Sequence, residues 1–431
     1  IARFALHQVR EERAIYHAIL VPPMHRLALR HDVRMFQRRT TRQIVSDVFQ
    51  RASVKDLDWR LRGSYQPRDY CVQYRESDLS FVSRLLEEEG IACHFEHGAA
   101  AVKTVFTDDP GALPDLPGGA RLPYSEDTAR PPAEEFVFAF EAAEQLASGK
   151  VELRDYSFKT PRVQPMGRST GAASDLEVYD YPGEFVDAGL GARLAGVRLQ
   201  ELELERRSGA GASDCPRFCP GHVWQLGGGS DERLRHPRAE LNQRYLLASV
   251  IHRGEQPNVL GEEGGNDDCV YGNRFTVVPA SVTFRPPRIT PRPEARGLHT
   301  GQVAGPAGQE IHTDPYGRVK VSFHWDRNSA GDDTSSCWIR VAHDWAGAGY
   351  GAMMLPRVGQ EVLVAFVEGD PDRPVVVGRV HNATQKVPYD LPMNKTRTTF
   401  RSSSSPGGHG SNELRLEDRA GHEQVYLHAQ K

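Results

Sequence analysis

The residues best equipped for chemistry lie in four short stretches. Gly167-Arg168-Ser169-Thr170-Gly171 spells G-x-S-x-G, the pattern of a nucleophilic serine held on a sharp strand-to-helix turn. Such a turn needs a buried strand ahead of it, but Lys159 to Met166 holds two prolines and few apolar residues, so a polar loop is expected. Cys93, His94, Glu96 and His97 crowd one segment that alternates as a strand. Period two sends His94 and Glu96 to one face and Cys93, Phe95 and His97 to the other, so they do not converge on a metal. Cys215 and Cys219, with His222 nearby, have loose zinc-like spacing. A closed zinc site takes four ligands, no second Cys pair appears at useful spacing, and Cys269 and Cys337 could join only through the fold. His422-Glu423 lacks the second histidine of H-E-x-x-H, because Tyr426 occupies that position. No glycine-rich phosphate loop occurs, and Asp332, Asp333, Asp370 and Asp372 fall where turns favour aspartate. The expectation is therefore no catalytic residue, no cofactor and no metal.

Nucleic acid is an equally poor fit. The net charge is −4, and the aromatics Trp325, Trp338 and Trp345 stand among Asp326, Asp332, Asp333 and Asp344. A hydrophobic content of 39% and a mean hydropathy of −0.53 describe soluble globular material. No run approaches the ~20 apolar residues of a membrane span. Six cysteines without a paired framework suggest free thiols and synthesis in a reducing cytosol. The chain opens at Ile1 without a leader and stops at Lys431 inside a patterned stretch, so a fragment is expected.

The elements that would position these residues change character along the chain. Over residues 1–285 strands mix with a few helices. Ile44, Val45, Val48 and Phe49 follow helical spacing after Thr41. Leu79, Val82, Leu85 and Leu86 do so after Ser77 or Asp78, up to Gly90 as a C-terminal stop. The acids Glu87, Glu88 and Glu89 in that last turn oppose the helix dipole mildly. A third helix is expected over about 187–206. Four prolines within 286–294 then mark a stiff connector over 286–297.

Residues 298–383 read as short strands between Gly, Asp and Pro turns. Arg318–Trp325 and Cys337–Val341 alternate, while Glu361–Val367 is apolar enough to be covered on both faces. A small barrel follows, and an OB-type one fits the count as well as an SH3-like one. From 384 to 431 the pattern thins to a Ser/Gly-rich stretch and two short strands. Leu414 and Leu416, then Val425, Leu427 and Ala429, form one apolar edge. Two such strands cannot fold alone, so they need partners from other chains.

Several segments resemble one family. PYGRVKVSFHWDR (315–327), SSCWIRVAHDWAGAGYG (335–351), PRVGQEVLVAFVEGDPDRPVVVGRVHNA (356–383) and NELRLEDRAGHEQVYLHAQK (412–431) are similar to core signatures of VgrG spike proteins of type VI secretion. YRESDLSFVSRLLEEEGIACHFEH (74–97), LRDYSF (153–158) and YDYPGEF (179–185) agree with it. The resemblance implies a mainly β fold with some helices. A phage-hub-like barrel region (1–285) would precede an OB-fold barrel, and then the neck and first strands of an intertwined triangular β-needle (384–431). It also implies a non-enzymatic homotrimer, made in the cytoplasm and exported without a cleavable signal. Its partners would be the hexameric Hcp tube, baseplate proteins, a PAAR-type tip protein, and effectors with their adaptors, with the target membrane met only by penetration. The trimer core would be Leu414, Leu416, Val425, Leu427 and Ala429. A contractile phage-tail hub is the near alternative, and a cell-envelope-degrading enzyme the distant one.

Overall fold

The computed structural model describes residues 1–10, 13–99, 101–109, 111, 113–126, 135–227, 232–255 and 270–431. The chain is mainly β and divides into two compact units. The first holds Ile1–Arg30, Thr41–Tyr65 and Asp78–Pro291; the second holds His31–Thr40, Gln66–Ser77 and Arg292–Lys431.

In the first unit, helices α1 (Thr41–Arg51) and α2 (Asp78–Glu89) form where the apolar spacing placed them. Ile44, Val45, Val48 and Phe49 of α1 and Phe81, Val82, Leu85 and Leu86 of α2 are all buried. Phe49 meets Phe106 edge-on at 5.7 Å, on the middle strand of the sheet Leu57–Arg60, Val102–Thr107, Ala92–His97. The acids ending α2 are better placed than the dipole argument suggests. Glu87 accepts from the Thr290 amide at 3.0 Å and its hydroxyl at 2.6 Å, and Glu89 pairs with Arg193 at 2.5 Å. Specific partners outweigh a dipole effect of about 0.5 kcal/mol.

A six-stranded sheet follows, ordered Arg121–Leu122, Val223–Leu226, Arg244–Glu255, Val270–Pro279, Arg207–Ser213, Val137–Glu144. Its core gathers around the fully buried Trp224, with Phe218 at 5.0 Å and Phe275 at 5.6 Å. Helix α3 (Ala188–Leu204), capped by Asp187, lies over a small sheet of Met166–Thr170, Lys150–Arg154 and Glu177–Asp180.

The second unit is built on a five-stranded barrel. Its order is Lys320–Phe323, His299–Ala304, Glu361–Phe366, Pro374–Val380, Arg340–Val341, and the Val319–Ile339 bridge joins last to first. In chain order this is 2-1-4-5-3 closing on 2, the OB connectivity, which strand counting alone left open. Glu361–Phe366 departs from the sequence reading: Val362, Val364 and Phe366 are buried while their neighbours are half-buried, so only one face is fully covered. Strands His31–Arg39 and Arg68–Ser77, although drawn from the first hundred residues, belong to this unit. Met35 and Tyr74 pack on the barrel core, and the Val72 amide donates to Asp372 at 2.6 Å.

Candidate functional site

The stretches around Ser169, Cys215 and His94 fold without bringing their reactive atoms together into one site. Met166–Thr170 is a strand paired antiparallel with Lys150–Arg154, where a polar loop was expected. Its glycine explains the difference. A Cβ on Gly167 would lie 2.0 Å from the carbonyl oxygen of Gly191, so the motif is where strand and α3 touch backbone to backbone. Cys215 donates to Glu135 at 3.2 Å, whereas Cys219 points to the Phe95 carbonyl at 3.6 Å. Burial and the Glu135 carboxylate push the Cys215 thiol up to about 12, far from a thiolate. Cys269 lies outside the described residues. Among the described residues, no three His, Cys, Asp or Glu side chains group as a metal would need.

His94 is the buried member of its stretch. The strand alternates as read, but its inward residue is His94, 6% exposed, while Cys93 faces out. The ring meets His222 edge-on at 6.4 Å, and its Nε2 is buried without a hydrogen-bond partner. Burial lowers its pKa to about 4, with Arg60 and His222 adding to the fall and Glu96 and Asp58 opposing it. The unfolded chain therefore binds more protons than the folded one between about 4 and 6.5. Acidifying across this window should cost up to about 3 kcal/mol of stability. His94→Gln should move the midpoint of an acid-unfolding curve, followed by circular dichroism, to lower pH. An unchanged midpoint would mean other groups set the acid limit.

The barrel's tryptophans are engaged internally, apart from one. Trp325 stacks on Phe323 at 4.8 Å and Trp338 lies under Lys320 at 5.1 Å, while Trp345 is 64% exposed. Asp332 and Asp370 accept turn amides from Thr334 and Asp372.

The last segment carries the most unusual surface. Strands Arg397–Arg401, Glu413–Glu417 and Gln424–His428 form an antiparallel sheet, one strand more than the alternation alone suggested. Register sets Phe400, Leu414 and Leu427 in one cross-strand row, and Thr398, Leu416 and Val425 in the next. All point to the same face. Gly421, at φ 79°, turns the chain between the last two strands, a backbone that glycine adopts without strain.

The opposite face is polar, and its two carboxylates are satisfied within the chain. Glu413 accepts from Tyr389 at 2.5 Å and from Thr399 at 2.9 Å, and Glu417 accepts from the Thr396 hydroxyl and takes Arg397 at 2.9 Å. These donors hold both carboxylates below the usual range. Arg415 lies over the Tyr426 ring at 4.4 Å and donates to the Tyr389 hydroxyl. So the sheet's carboxylates are held by donors of the same chain while its apolar face is open. Phe400 is 67% exposed, Leu414 42%, Leu416 39%, Val425 74% and Leu427 82%, and Ala429 is exposed just past the final strand. Four of the five expected core residues thus sit in the sheet on one face, with Ala429 following. Phe400 is the member the sequence reading missed. Its signal was the alternation of Thr398 and Phe400 with Arg397, Thr399 and Arg401.

Comparison with known proteins matches each region separately. Residues 1–258 match the phage tail baseplate hub (GPD) family. Residues 309–381 match the type VI secretion system/phage-baseplate injector OB domain, and residues 398–431 the bacteriophage T4 gp5 C-terminal trimerisation domain. The chain is 45% identical over 431 residues to the type VI secretion system spike protein VgrG4b of Pseudomonas aeruginosa, covering 96% of this chain and 52% of that protein. VgrG5 of the same organism is 42% identical, over 96% of this chain and 53% of that protein. The chain thus spans about half the length of these relatives. A solved Escherichia coli protein, c3393, described as a type VI component similar to T4 tail proteins gp27 and gp5, shares the fold. It has a TM-score of 0.60 and 23% identity, covering 88% of this chain and 81% of that one. Hub, injector barrel and trimerisation sheet follow one another in a single chain, and this chain belongs to the phage tail baseplate hub family, among the VgrG spike proteins of type VI secretion.

Proposed function

We propose that this chain is the hub, barrel and needle base of a homotrimeric spike that punctures a target envelope mechanically, without catalysis. The observation that carries this reading is the one-sided sheet at 397–428, whose carboxylates on the polar face find donors within the chain and whose apolar face is open. Three copies turned about one axis would bury Phe400, Leu414, Leu416, Val425 and Leu427 against each other, with Ala429 continuing the row. Burial contributes about 25 cal/mol per Å² of apolar surface, so a rigid shared stem results. Rigidity is what a puncturing tip requires.

On this reading the hub would cap an Hcp tube beside the baseplate proteins. A PAAR-type protein would bind the far end of the needle, and effectors with their adaptors would travel as cargo. The protein would leave the cell with the apparatus. The relatives' names favour type VI secretion over a contractile phage tail. Light scattering during size exclusion at micromolar concentration should give three times the 48.0 kDa of one chain. A monomer at every concentration would count against the trimer. Soluble fragments released from peptidoglycan by the purified chain would overturn the non-catalytic half.

A further inference from the structure

The loop that follows barrel strand Arg340–Val341 folds back on itself as a tight knuckle. The Gly347 amide donates to the Tyr350 carbonyl at 2.9 Å, and the Ala352 amide to that of Trp345 at 2.8 Å. Gly349 and Gly351 adopt φ of 82° and 128°, conformations that suit glycine. A Cβ on Gly351 would come within 2.4 Å of the Trp345 carbonyl oxygen, and one on Gly347 within 2.4 Å of the Tyr350 ring. The glycines therefore hold a defined shape. That shape displays Trp345 at 64% exposure, Tyr350 at 66%, Met353 at 77% and Met354 at 46%. Trp345 and Tyr350 support each other edge-on at 6.1 Å. The base is pinned to the barrel: the Ala342 amide donates to Val376 at 2.8 Å, and Arg379 donates to the Met354 carbonyl.

Tryptophan, tyrosine and methionine held rigidly in water are the composition of an interface core. The route of the chain indicates what covers them. Arg357, just beyond the knuckle, donates to the Ser403 carbonyl at 2.8 Å. Arg357 also lies 3.9 Å from Glu310, which accepts the Gly407 amide at 2.6 Å. Ser403 and Gly407 lie in the loop between Phe400's strand and Leu414's strand. The knuckle is thus anchored beside the root of the open apolar sheet, and any copy that completes that sheet is carried towards the barrel. A surface led by large apolar side chains suits such a lasting contact between copies.

We propose that Trp345, Tyr350, Met353 and Met354 form a second subunit contact, docking on the barrel of a neighbouring copy. This rests on the homotrimer reading. The test places the photo-crosslinking residue benzoylphenylalanine at Tyr350 of the full chain, isolates the trimer by size exclusion, and illuminates it. The expected product is a covalent chain–chain adduct on a denaturing gel, absent when the same residue replaces the exposed Leu146. A trimer that gives no adduct from Tyr350, or adducts only with other proteins, overturns the docking inference and leaves the trimer standing. Failure to isolate any trimer overturns the underlying reading. In parallel, the double variant Trp345→Ser with Tyr350→Ser should dissociate at a concentration at least about tenfold higher on dilution, because buried aromatic anchors typically contribute that much or more. An unchanged dissociation midpoint would likewise overturn the contact.

Discussion

Replacing Leu414 with aspartate is expected to leave each chain folded and abolish its association. Leu414 occupies the middle of the row Phe400, Leu414, Leu427 and is 42% exposed in the single chain, so the substituted carboxylate stays hydrated there. Threefold assembly would bring three such carboxylates together in an apolar stem. An ionised carboxylate buried without a partner costs several kcal/mol even after relaxation, and three of them repel one another. Each lost leucine also removes about 2 kcal/mol of burial. Together these exceed what a micromolar association can absorb, about 8 kcal/mol. Light scattering should fall from three chains' mass to one, while circular dichroism keeps its folded signature. A control at Arg415→Asp would disturb the polar face instead, where Arg415 contacts Tyr389 and Gln424 within the chain. If Leu414→Asp retained full trimer mass, this face could not be the shared core.

The sequence exposed local patterns well and distant pairings poorly. Helices α1 and α2 were legible because their apolar residues recur at helical spacing and are buried together on one side. The barrel strands Lys320–Phe323 and Glu361–Phe366 were legible because alternation marks the first and a short apolar run the second. What pairs with what was not. His31–Arg39 and Arg68–Ser77 pair with each other and pack on a barrel whose strands begin at His299. No short window contains that association. Phe400 was hidden for another reason. It lies beside the Ser/Gly-rich stretch, whose composition reads as loop, yet the hydrogen bonds of Ser402 with Asn412 and of Ser404 with Gly410 extend the hairpin through it. His94 shows the limit of alternation. Period two separates two faces correctly, but which face is inside depends on the neighbours, and Gly221 offers the ring its seat: a Cβ there would stand 2.5 Å from it.

The G-x-S-x-G stretch allows the structural and chemical readings to be set against each other in one pair of variants. Gly167→Ala is expected to destabilise the first unit by about 3 kcal/mol or more, because overpacking against fixed backbone cannot be relieved by a rotamer change. The added methyl would sit 2.0 Å from the Gly191 carbonyl oxygen and 2.1 Å from its carbon, both part of α3. Moving the helix away would open the cluster of Val151, Leu153, Phe185, Ala195 and Leu199 beneath it. Gly191 cannot yield either, since its own Cβ position lies 2.5 Å from the Phe185 ring. Neither glycine has positive φ, so ease of turning does not explain them, and the close approach does. Ser169→Ala touches none of this and should change stability by less than about 0.5 kcal/mol. A nucleophile would invert that order of importance, with Ser169 indispensable to an activity and Gly167 only its support. Thermal and urea unfolding of both variants decides the matter. A silent Gly167→Ala would mean that α3 has slack, and that the strand–helix contact is not what the motif serves.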